Sequence, residues 1–446
     1  MMPGRRAFRS RLGRNEILVT QRPPSGSVAA YLAGRTLFGV KLGLDTIRSL
    51  TEALDRPERS YPCIVIGGTN GKGSVTAYLD AALSASGLTV GRYTSPHLVH
   101  VRERIAVAGK PIRPRGFSEA VARVRDVAEK LIQAGRIPAH PTYFEVLTAA
   151  ALWHFHRSRV DVALLEVGMG GRLDATNVCD PLLSVIVTID LDHEIHLGTT
   201  LAEIATEKAG LLRPGRTTVL GVLPAEARAA IHARAREVGA RLVDAWQDCQ
   251  VQPSASGTTV KTPSREHRLG RRPDAPYQEH NLVVALRVLE ECPDAGLDVD
   301  LDAAGSAVAA ARWPGRLEWI PGEPPLLLDG AHNPSAARAL AEYLRGLGSF
   351  VLLFGIMTDK DIEEVTGALF PLARQVVLTR CRIERAATTS EIARRAGGLA
   401  GGARRQASVR QALRLARGLA QPGEPVVVAG SLYLVGEVLR ILRRRA

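Results

Sequence analysis

The sequence is poor in aromatic residues, in paired cysteines and in long apolar runs. Aromatic side chains make up 4% of its 446 residues, and no run approaches the roughly 18 to 20 apolar residues that a membrane-spanning helix needs. Its cysteines form no C-x-x-C pair and no regular spacing, which argues against a disulfide framework and against a zinc site. The basic start, MMPGRRAFRSRLGR, has no apolar core of a signal peptide. We therefore expect a cytoplasmic protein with no membrane partner.

The chain carries a formal net charge of +13. Such a charge fits a nucleic-acid partner, an acidic small substrate or only an arginine-rich surface. Because the basic residues are scattered and are not interleaved with aromatic residues, we expect no nucleic acid to bind.

Lysine is scarce in this sequence. The chain has seven lysines and 51 arginines. Since arginine fills almost every basic position, each remaining lysine is more often one that a guanidinium cannot replace. Lys72 and Lys208 become candidate functional residues on this ground.

Buried apolar runs alternate with helical patterns along most of the chain. CIVIGGT, TVGRYTS, VDVALLEVG, LSVIVTID and TTVLGV are each followed by turn residues or by a helix start. This alternation is typical of βαβ units and predicts an α/β fold with a parallel sheet. A polar stretch over 252–280 interrupts the pattern, and we expect less regular structure there. The pattern then restarts with LLLDGAHN, SFVLLFGIM, QVVLTRC and PVVVAGS.

The organisation of the chain follows from these patterns. We expect a frayed basic head over 1–28, a large domain over 29–313, a linker rich in proline and glycine over 314–325, and a smaller α/β domain over 326–446.

The stretch GGTNGKGS, residues 67 to 74, lies between a predicted strand and a predicted helix. Glycines there would let backbone N–H groups converge on phosphate oxygens at the helix N-terminus, Lys72 would add a point charge, and Ser74 or Thr69 could face phosphate or Mg²⁺. The spacing departs from the usual phosphate-loop motif, because the hydroxyl follows the lysine by two residues. A glycine-rich turn with a solvated lysine is the alternative.

Carboxylates end two of the predicted strands. Glu166 ends VDVALLE, and Asp190, Asp192 and His193 follow LSVIVTI. Ligands of open α/β sheets bind at these carboxyl ends, and Mg²⁺ prefers oxygen ligands, so we expect the two ends to lie side by side and to form a cation site. A glutamate paired with arginine and a structural histidine are the alternatives.

Four further residues are candidates with weaker signals. Lys208 lies in an amphipathic helical pattern, where a surface lysine beside Glu207 is the alternative. In the smaller domain Asp329 ends a strand, and His332 follows it at a helix start. Arg316, in the linker, is expected to face the cleft between the domains.

Many motifs in one order carry a resemblance to a known family. The sequence resembles the folylpolyglutamate synthase/dihydrofolate synthase family, a branch of the Mur ligases, from about residue 30 to the C-terminus. The motifs are FGVKLGLDTI, GGTNGKGS, YTSPHLVHVRERI, TYFEVLTAAAL, EVGMGGRLDATN, LDHEIHLG, EKAGLLRPG, PGRLEW, LDGAHNP, MTDKDI and GSLYLVGEV.

The resemblance implies a Mur ligase fold, in which a P-loop parallel-sheet ATPase domain precedes a smaller Rossmann-like α/β domain. It also implies an ATP-dependent amide ligase. ATP phosphorylates a carboxylate of dihydropteroate or a reduced folate, and the amine of L-glutamate displaces the phosphate. The excess of positive charge suits these anionic substrates. A monomer is usual in this family.

The resemblance also implies roles for individual residues. ATP would be bound by Thr69, Asn70, Gly71, Lys72, Gly73, Ser74, Asn281, Arg316 and Asp329. Two Mg²⁺ sites would draw on Ser95, Glu166, His193 and Lys208, with Lys208 carbamylated and K⁺ as an alternative second ion. Catalytic roles would fall to Lys72, His193, Lys208 and His332. The dihydropteroate pocket would contain Thr142, Tyr143, Phe144, Glu145, Leu173, Asp174 and Ala175, with the segment 34–37 beside it.

The motif GGRLDATN resembles the motif of family members that accept dihydropteroate. We therefore favour a bifunctional enzyme over a monofunctional folylpolyglutamate synthase. A peptidoglycan-type Mur ligase and a P-loop ATPase or kinase without ligase activity are further alternatives. The stretch LFGVKLGLD departs from the commoner wording of the family by a leucine in place of proline and by Asp45 in place of glutamate.

Overall fold

This computed structural model describes residues 27–35, 43–254, 257–270 and 275–443. The predicted basic head lies almost entirely outside these residues, as do residues 36 and 37 of the segment expected beside the pterin pocket.

The described residues form helices and strands in alternation. The helices are α1 Val28–Arg35, α2 Asp45–Ala53, α3 Lys72–Ala85, α4 Pro114–Gln133, α5 Tyr143–Ser158, α6 Glu194–Leu197, α7 Leu201–Lys208, α8 Ala225–Val238, α9 Pro276–Glu291, α10 Leu301–Ala310, α11 Pro334–Arg345, α12 Ile362–Leu369, α13 Thr389–Ala396, α14 Val409–Leu419 and α15 Leu432–Arg443. The strands are β1 Cys63–Gly67, β2 Val90–Tyr93, β3 Ile105–Val107, β4 Lys110–Pro111, β5 Val162–Glu166, β6 Leu183–Ile186, β7 Thr217–Leu220, β8 Arg241–Asp244, β9 Gln250–Ser254, β10 Gly257–Lys261, β11 Glu266–Leu269, β12 Glu318–Ile320, β13 Leu326–Leu328, β14 Val351–Phe354, β15 Gln375–Arg380, β16 Arg404–Ser408 and β17 Val426–Ala429.

The first sheet has the strand order β4, β3, β2, β5, β1, β6, β7, β8. The strands from β2 to β8 in this order run parallel, and β3 and β4 add an antiparallel edge. Alternate residues of β1 pack into two different cores: Cys63 and Val65 into one, Ile64 and Ile66 into the other. Burial on both faces explains why the parallel strands are near-continuous apolar runs, and it confirms the predicted parallel α/β sheet.

One expectation about this sheet is wrong. Glu166, on β5, and the residues after β6 were expected at neighbouring strand ends, but β1 pairs with both β5 and β6 and separates them. The phosphate-loop candidate, which follows β1, therefore lies between the two polar strand ends. Sequence order could not show this, because a crossover connection lets a later strand pair on either side of an earlier one.

The polar stretch over 252–280 is more regular than expected. Much of it forms a separate antiparallel sheet in the order β11, β10, β9. The apolar alternation is short, with Val260 and Leu269 facing the core shared with α9 and α10. Polar residues on the other face hid this period of two in the sequence.

The second large sheet has the order β12, β13, β17, β14, β15, β16 and is parallel except for β12. β12 lies inside the stretch 314–325 that the sequence predicts as a linker, and it pairs with β13. The carboxyl ends of β13, β14, β15 and β17 face the first sheet across a cleft. No helix among the described residues combines the length and apolarity needed to cross a membrane.

Candidate active site

One cavity of about 730 Å³ lies between the carboxyl ends of the two large sheets. Ligand pockets of enzymes have this order of volume and often lie between domains. Loops after β1, β5 and β6 line it on one side, and loops after β14, β15 and β17 line it on the other.

The loop between β1 and α3 is held in place by the chain that follows β6. The amide of Asn70 donates to the hydroxyl of Thr188 at 2.9 Å, and that hydroxyl donates to the Asn70 carbonyl at 3.0 Å. The Thr69 hydroxyl donates to the Asp190 carbonyl at 3.1 Å and accepts from the Asp190 amide at 3.0 Å. Both hydroxyls thus fix the loop, and Ser74, in the first turn of α3, lines the cavity together with Thr69.

Two glycines of this loop are required by their neighbours. Gly71 has φ +84°, and a side chain there would meet the amide of Asn281. A Cβ on Gly73 would lie 2.7 Å from the indole nitrogen of Trp313. Asn281 is buried in α9 and therefore contacts the loop from behind rather than lining the cavity.

Lys72 begins α3 and bends back over the loop. Its Nζ donates to the carbonyls of Gly68 at 2.9 Å and Thr69 at 3.1 Å. Burial lowers the pKa of Lys72, and the carboxylate of Glu166 opposes that shift. Among the residues that the structure describes, the amine is thus bound only to neutral acceptors of its own loop, and Lys72 lines the cavity. This arrangement contradicts the alternative of a solvated lysine.

Glu166 ends β5 as a buried carboxylate, 5% exposed. Its Oε2 accepts from the amide of Ser95 at 3.0 Å. Burial raises the pKa of Glu166, and Lys72 is the main opposing charge. The alternative of a glutamate paired with arginine does not hold, since the described residues place no arginine within ion-pair distance of it.

Lys208 ends α7 and is buried, with 3% of its surface exposed. Its Nζ donates to the Gly68 carbonyl at 3.1 Å. Burial, with Lys72 as a second positive charge, lowers the pKa of Lys208 to about 7. The alternative of a surface lysine is therefore wrong, and at neutral pH a large share of this amine is uncharged.

His193 precedes α6 with φ +54° and is 41% exposed at its side chain. Partial burial lowers its pKa to about 4, although Asp192 opposes the shift. A neutral imidazole, the Ser95 hydroxyl and the Glu166 carboxylate are donors that a divalent cation accepts. Within the described ranges no three His, Cys, Asp or Glu side chains are arranged to hold a metal ion. A cation bound here would therefore need donors of other residue types as well.

The start of α5 forms one wall of the cavity. Thr142 caps the helix: its hydroxyl accepts from the Glu145 amide at 3.2 Å, and the Thr142 amide donates to Glu145 Oε2 at 2.7 Å. The other carboxylate oxygen of Glu145 and the hydroxyl of Tyr143 are buried and have no partner among the described residues. The ring of Phe144 packs 5.8 Å from that of Tyr93. This wall thus offers aromatic faces together with unsatisfied polar atoms.

The turn after β5 closes the same wall with Leu173, Asp174 and Ala175. Asp174 is buried and accepts from the amides of Met169 and Thr176, each at 3.0 Å. Its carboxylate therefore shapes the turn from inside. Of the segment 34–37, Arg35 lines the cavity.

On the opposite side, Asp329 follows β13 and fixes the chain at Leu317, just before β12. Its carboxylate accepts from the amides of Leu317 at 3.0 Å and Ala331 at 2.9 Å, and it does not line the cavity. Arg316 and His332 do line it. His332 Nδ1 lies 2.8 Å from the Gly330 carbonyl, which can only accept, so Nδ1 carries the proton and Nε2 of the neutral ring carries none. Burial lowers the pKa of His332 to about 4, which keeps it neutral.

A polar bridge joins the two sides, and no sequence motif predicts it. Asn333 Nδ2 donates to Asn70 Oδ1 at 3.0 Å and to Asp192 Oδ2 at 3.1 Å, while Asn333 Oδ1 caps α11. Lys360 Nζ lies 2.7 Å from Asp192 Oδ1. The scarcity of lysine was the available signal for Lys360, but it did not indicate the partner.

This chain is similar to known proteins in sequence and in fold. The family described as Mur ligase, glutamate ligase domain, matches residues 315–432. A protein of Haloferax volcanii named probable bifunctional folylpolyglutamate synthase/dihydropteroate synthase is 37% identical over 417 residues, which are 90% of this chain and 48% of that protein. This chain therefore spans about half the length of that relative.

Two solved structures are similar over nearly their whole length. E. coli FolC in complex with DHPP and ADP has a TM-score of 0.85 at 30% identity, covering 94% of this chain and 99% of FolC. A bifunctional folylpolyglutamate synthase/dihydrofolate synthase from Yersinia pestis, complexed with AMPPNP and Mn, has a TM-score of 0.82 at 32% identity, covering 94% of this chain and 98% of that one. The fold is thus that of the Mur ligases, as the sequence predicted, and the chain belongs to the folylpolyglutamate synthase/dihydrofolate synthase family.

Proposed function

We propose that this protein is an ATP-dependent amide ligase that joins L-glutamate to dihydropteroate and to reduced folates. The observation that carries the proposal is the single cavity that brings together a phosphate loop, a buried carboxylate, an aromatic pocket with unsatisfied polar atoms, and the strand ends of a second sheet. The ligands of the two solved relatives, ADP with DHPP and AMPPNP with Mn, support the nucleotide, the pterin acid and the cation.

The reaction has two steps, a phosphoryl transfer and an acyl transfer. A carboxylate oxygen of the acid attacks the terminal phosphorus of ATP, which forms an acyl phosphate and releases ADP. The amine of L-glutamate then attacks the acyl carbon, phosphate leaves, and the nitrogen loses a proton. The protein's contribution is positioning and charge neutralisation, because the acid is a poor electrophile until it carries phosphate.

The nucleotide phosphates bind the loop after β1. Lys72 exchanges its two carbonyl acceptors for phosphate oxygens, and Ser74 adds a hydroxyl, while Gly71 and Gly73 allow close approach. Asn281 and Asp329 act from behind, since the first supports the loop and the second fixes the linker that carries Arg316. The roles of all nine predicted nucleotide residues, Thr69, Asn70, Gly71, Lys72, Gly73, Ser74, Asn281, Arg316 and Asp329, are part of this proposal.

Divalent cations are bound by Ser95, Glu166 and His193, with Lys208 for a second ion. The cations supply charge neutralisation at the transferring phosphoryl group. The set fits a hard cation because Glu166 is buried with one hydrogen bond and His193 is neutral. The uncharged amine of Lys208 attacks CO₂ and loses a proton, which converts it into an anionic carbamate; this change explains why a lysine lies buried beside Lys72. A K⁺ ion at the second site is the alternative.

The pterin ring lies against Tyr143, Phe144 and Leu173, with Ala175 beside it. Glu145 Oε1 accepts from N–H groups of the ring, which satisfies an oxygen otherwise left without a partner. Thr142 and Asp174 hold the two segments of this wall in shape. The same pocket serves dihydropteroate and reduced folates, because both carry the pterin.

L-Glutamate binds across the cleft, on the side of the second sheet. His332 Nε2 is unprotonated and accepts a hydrogen bond from the attacking amine. The family match over 315–432 supports this placement. We divide the chain accordingly: 29–313 carries the nucleotide and folate sites, 314–325 joins the halves, and 326–446 carries the amino-acid side. The cytoplasmic location, the monomeric state, the frayed head over 1–28 and the lack of nucleic-acid partners stay predictions.

The test is substrate-dependent phosphate release by the full-length chain with Mg-ATP and L-glutamate. We expect release only after dihydropteroate or a reduced folate is added, and mass spectrometry should find at least one glutamate joined to each acid. Lys110→Ala, at an exposed lysine, serves as the control for Lys72→Ala. Release that ignores both acids contradicts the proposal, and turnover of reduced folates alone indicates a monofunctional folylpolyglutamate synthase.

A further inference from the structure

Arg104 is a buried arginine whose two Nη groups have no hydrogen-bond partner among the described residues. It ends the short helical turn Val101–Arg104, is 9% exposed and lines the cavity. Among the described residues no carboxylate lies within ion-pair distance of it, and its Nη groups make no hydrogen bond. A buried charge without a partner is costly, so such a group usually meets an anion in the working complex.

Other arginines around the cavity differ in this respect. Arg382 pairs with Glu437 at 3.5 Å, and Arg385 pairs with Asp359 at 3.6 Å. Arg440 donates to the carbonyl of Val99 at 3.3 Å. Arg316 also lines the cavity, but it is only half-buried. Arg104 is thus distinguished by its burial together with the lack of an oxygen acceptor among the described residues.

The side chain of Arg104 is nevertheless held in one place. Its Nε donates to His97 Nδ1 at 3.0 Å. Because a guanidinium can only donate, Nδ1 of His97 is the unprotonated nitrogen. The guanidinium also lies over the ring of Tyr143, 5.4 Å from its centroid. His97 and Tyr143 therefore fix the orientation of the guanidinium, and both Nη groups remain available for a bidentate bond to a planar carboxylate.

The position of Arg104 connects two parts of the site. Tyr143 belongs to the proposed pterin wall, and His97 lies two residues from Ser95, whose amide binds Glu166. Burial raises the pKa of Glu166, and the charge of Arg104 is among those that oppose this rise, so the guanidinium acts on the cation side of the cavity as well. A pterin acid that lies against α5 and points its carboxylate toward the phosphate loop passes this guanidinium.

We propose that Arg104 binds the carboxylate of the pterin acid and delivers it to the phosphate of ATP, with His97 as its positioning residue. The inference rests on the proposed ligase function and adds a substrate contact to it. Neutralising the carboxylate lets it approach the triphosphate, which is itself an anion. The carboxylates of L-glutamate have the same chemistry, and the experiment separates the two sources.

The test compares Arg104→Gln and Arg104→Lys with Arg102→Gln. Arg102 lies on the same helical turn but donates to the carbonyl of Ile112 and does not line the cavity. We expect Arg104→Gln to raise KM for dihydropteroate about tenfold to hundredfold, the usual effect of losing a charge-assisted hydrogen bond. KM for ATP and L-glutamate should change less than threefold. Arg104→Lys should recover part of the lost affinity for dihydropteroate, because lysine keeps the positive charge but cannot make a bidentate bond to a carboxylate.

A binding measurement without ATP isolates the carboxylate. Arg104→Gln should weaken equilibrium binding of dihydropteroate but leave unchanged the binding of a pterin that lacks the benzoate carboxylate. His97→Ala should weaken the binding of dihydropteroate in the same way. His97→Asn, which keeps an acceptor at the Nδ1 position, should recover part of the lost affinity. This pattern is not expected of a purely structural role.

Three results overturn the inference: an unchanged KM for the acid, a rise in KM for L-glutamate alone, or equal weakening of both pterins. If Arg104→Gln does not fold, as judged by circular dichroism, Arg104→Lys and the His97 pair decide on the same criteria. A wild-type chain that does not turn over either acid refutes the ligase function instead. In that case the binding measurement still shows whether Arg104 recognises a carboxylate.

Discussion

The ion pair between Asp192 and Lys360 makes the strongest quantitative prediction about how the two halves work together. Asp192 follows β6 in the first sheet, and Lys360 follows β14 in the second. Lys360 Nζ lies 2.7 Å from Asp192 Oδ1, and the two side chains are only 10% and 11% exposed. Asn333 binds the other oxygen of Asp192 and also reaches Asn70 in the phosphate loop. We therefore expect this pair to hold the closed arrangement in which the phosphate loop meets the second sheet.

The size of the effect follows from the burial of the pair. Removing one partner of a buried ion pair leaves an uncompensated charge and costs about 3 kcal/mol at the lower end of the usual range. The lower end applies because Asn333 still binds Asp192. If closure precedes catalysis, 3 kcal/mol corresponds to a fall in kcat/KM on the order of 100-fold for Lys360→Met. The double variant Asp192→Asn with Lys360→Met should lose less than the product of the two single losses, since no charge is left without a partner.

The assay is steady-state phosphate release, with kcat/KM for ATP measured at saturating acid and L-glutamate. Lys110→Met, at an exposed lysine, is the control for loss of a lysine as such. The reasoning is refuted if the double variant loses as much kcat/KM as the product of the two single losses. It is also refuted if kcat/KM of Lys360→Met lies within threefold of the wild-type value. Either result would mean that the pair does not determine closure.

Three further predictions concern the phosphate loop and its surroundings. Lys72→Ala should reduce turnover at least 100-fold, because phosphate charge is then left without a partner in the transition state; wild-type rates in the phosphate-release assay would show that the loop is only a turn. Turnover should fall as pH drops through about 7, where Lys208, whose pKa is lowered to about 7, takes up a proton and ceases to react with CO₂. Lys208→Ala should be inactive and partly rescued by short carboxylates, and a flat pH profile in the wild type would contradict this role. Thr188→Val should weaken ATP binding about fivefold to tenfold, measured by calorimetry, since it removes the hydroxyl bound to Asn70 at a cost of about 1 kcal/mol; unchanged affinity would show that the loop holds its shape without it.

Much of the first sheet could be predicted because its determinants are local. The runs at β1, β2, β5, β6 and β7 were identified from continuous apolar residues followed by turns, and the structure confirms each one. The weak alternation of β9, β10 and β11 was not identified, since polar residues fill the exposed face of that small sheet and few apolar residues mark the buried one.

The candidate site was predictable where one motif carries it and unpredictable where distant segments meet. The phosphate loop could be identified in the sequence because glycine, lysine and strand-to-helix order lie within eight residues. The meeting of Asn70 with Asn333, 263 residues later, leaves no local pattern. The same holds for Lys208, whose helical pattern fits an exposed lysine, whereas in the fold its amine reaches the carbonyl of Gly68, 140 residues earlier.

Sequence patterns alone indicate the class of fold, the order of its elements and the residue types available for phosphate, cation and pterin chemistry, because strand burial, helix periodicity and turn residues are properties of short segments. The fold was needed to show which strand ends meet, which hydroxyls hold the phosphate loop, that Lys208 is buried beside Lys72, and that Arg104 has no anionic partner among the described residues. The reason is physical: pKa shifts, unsatisfied polar atoms and contacts across a cleft depend on what surrounds a group in space, and chain order does not specify those surroundings.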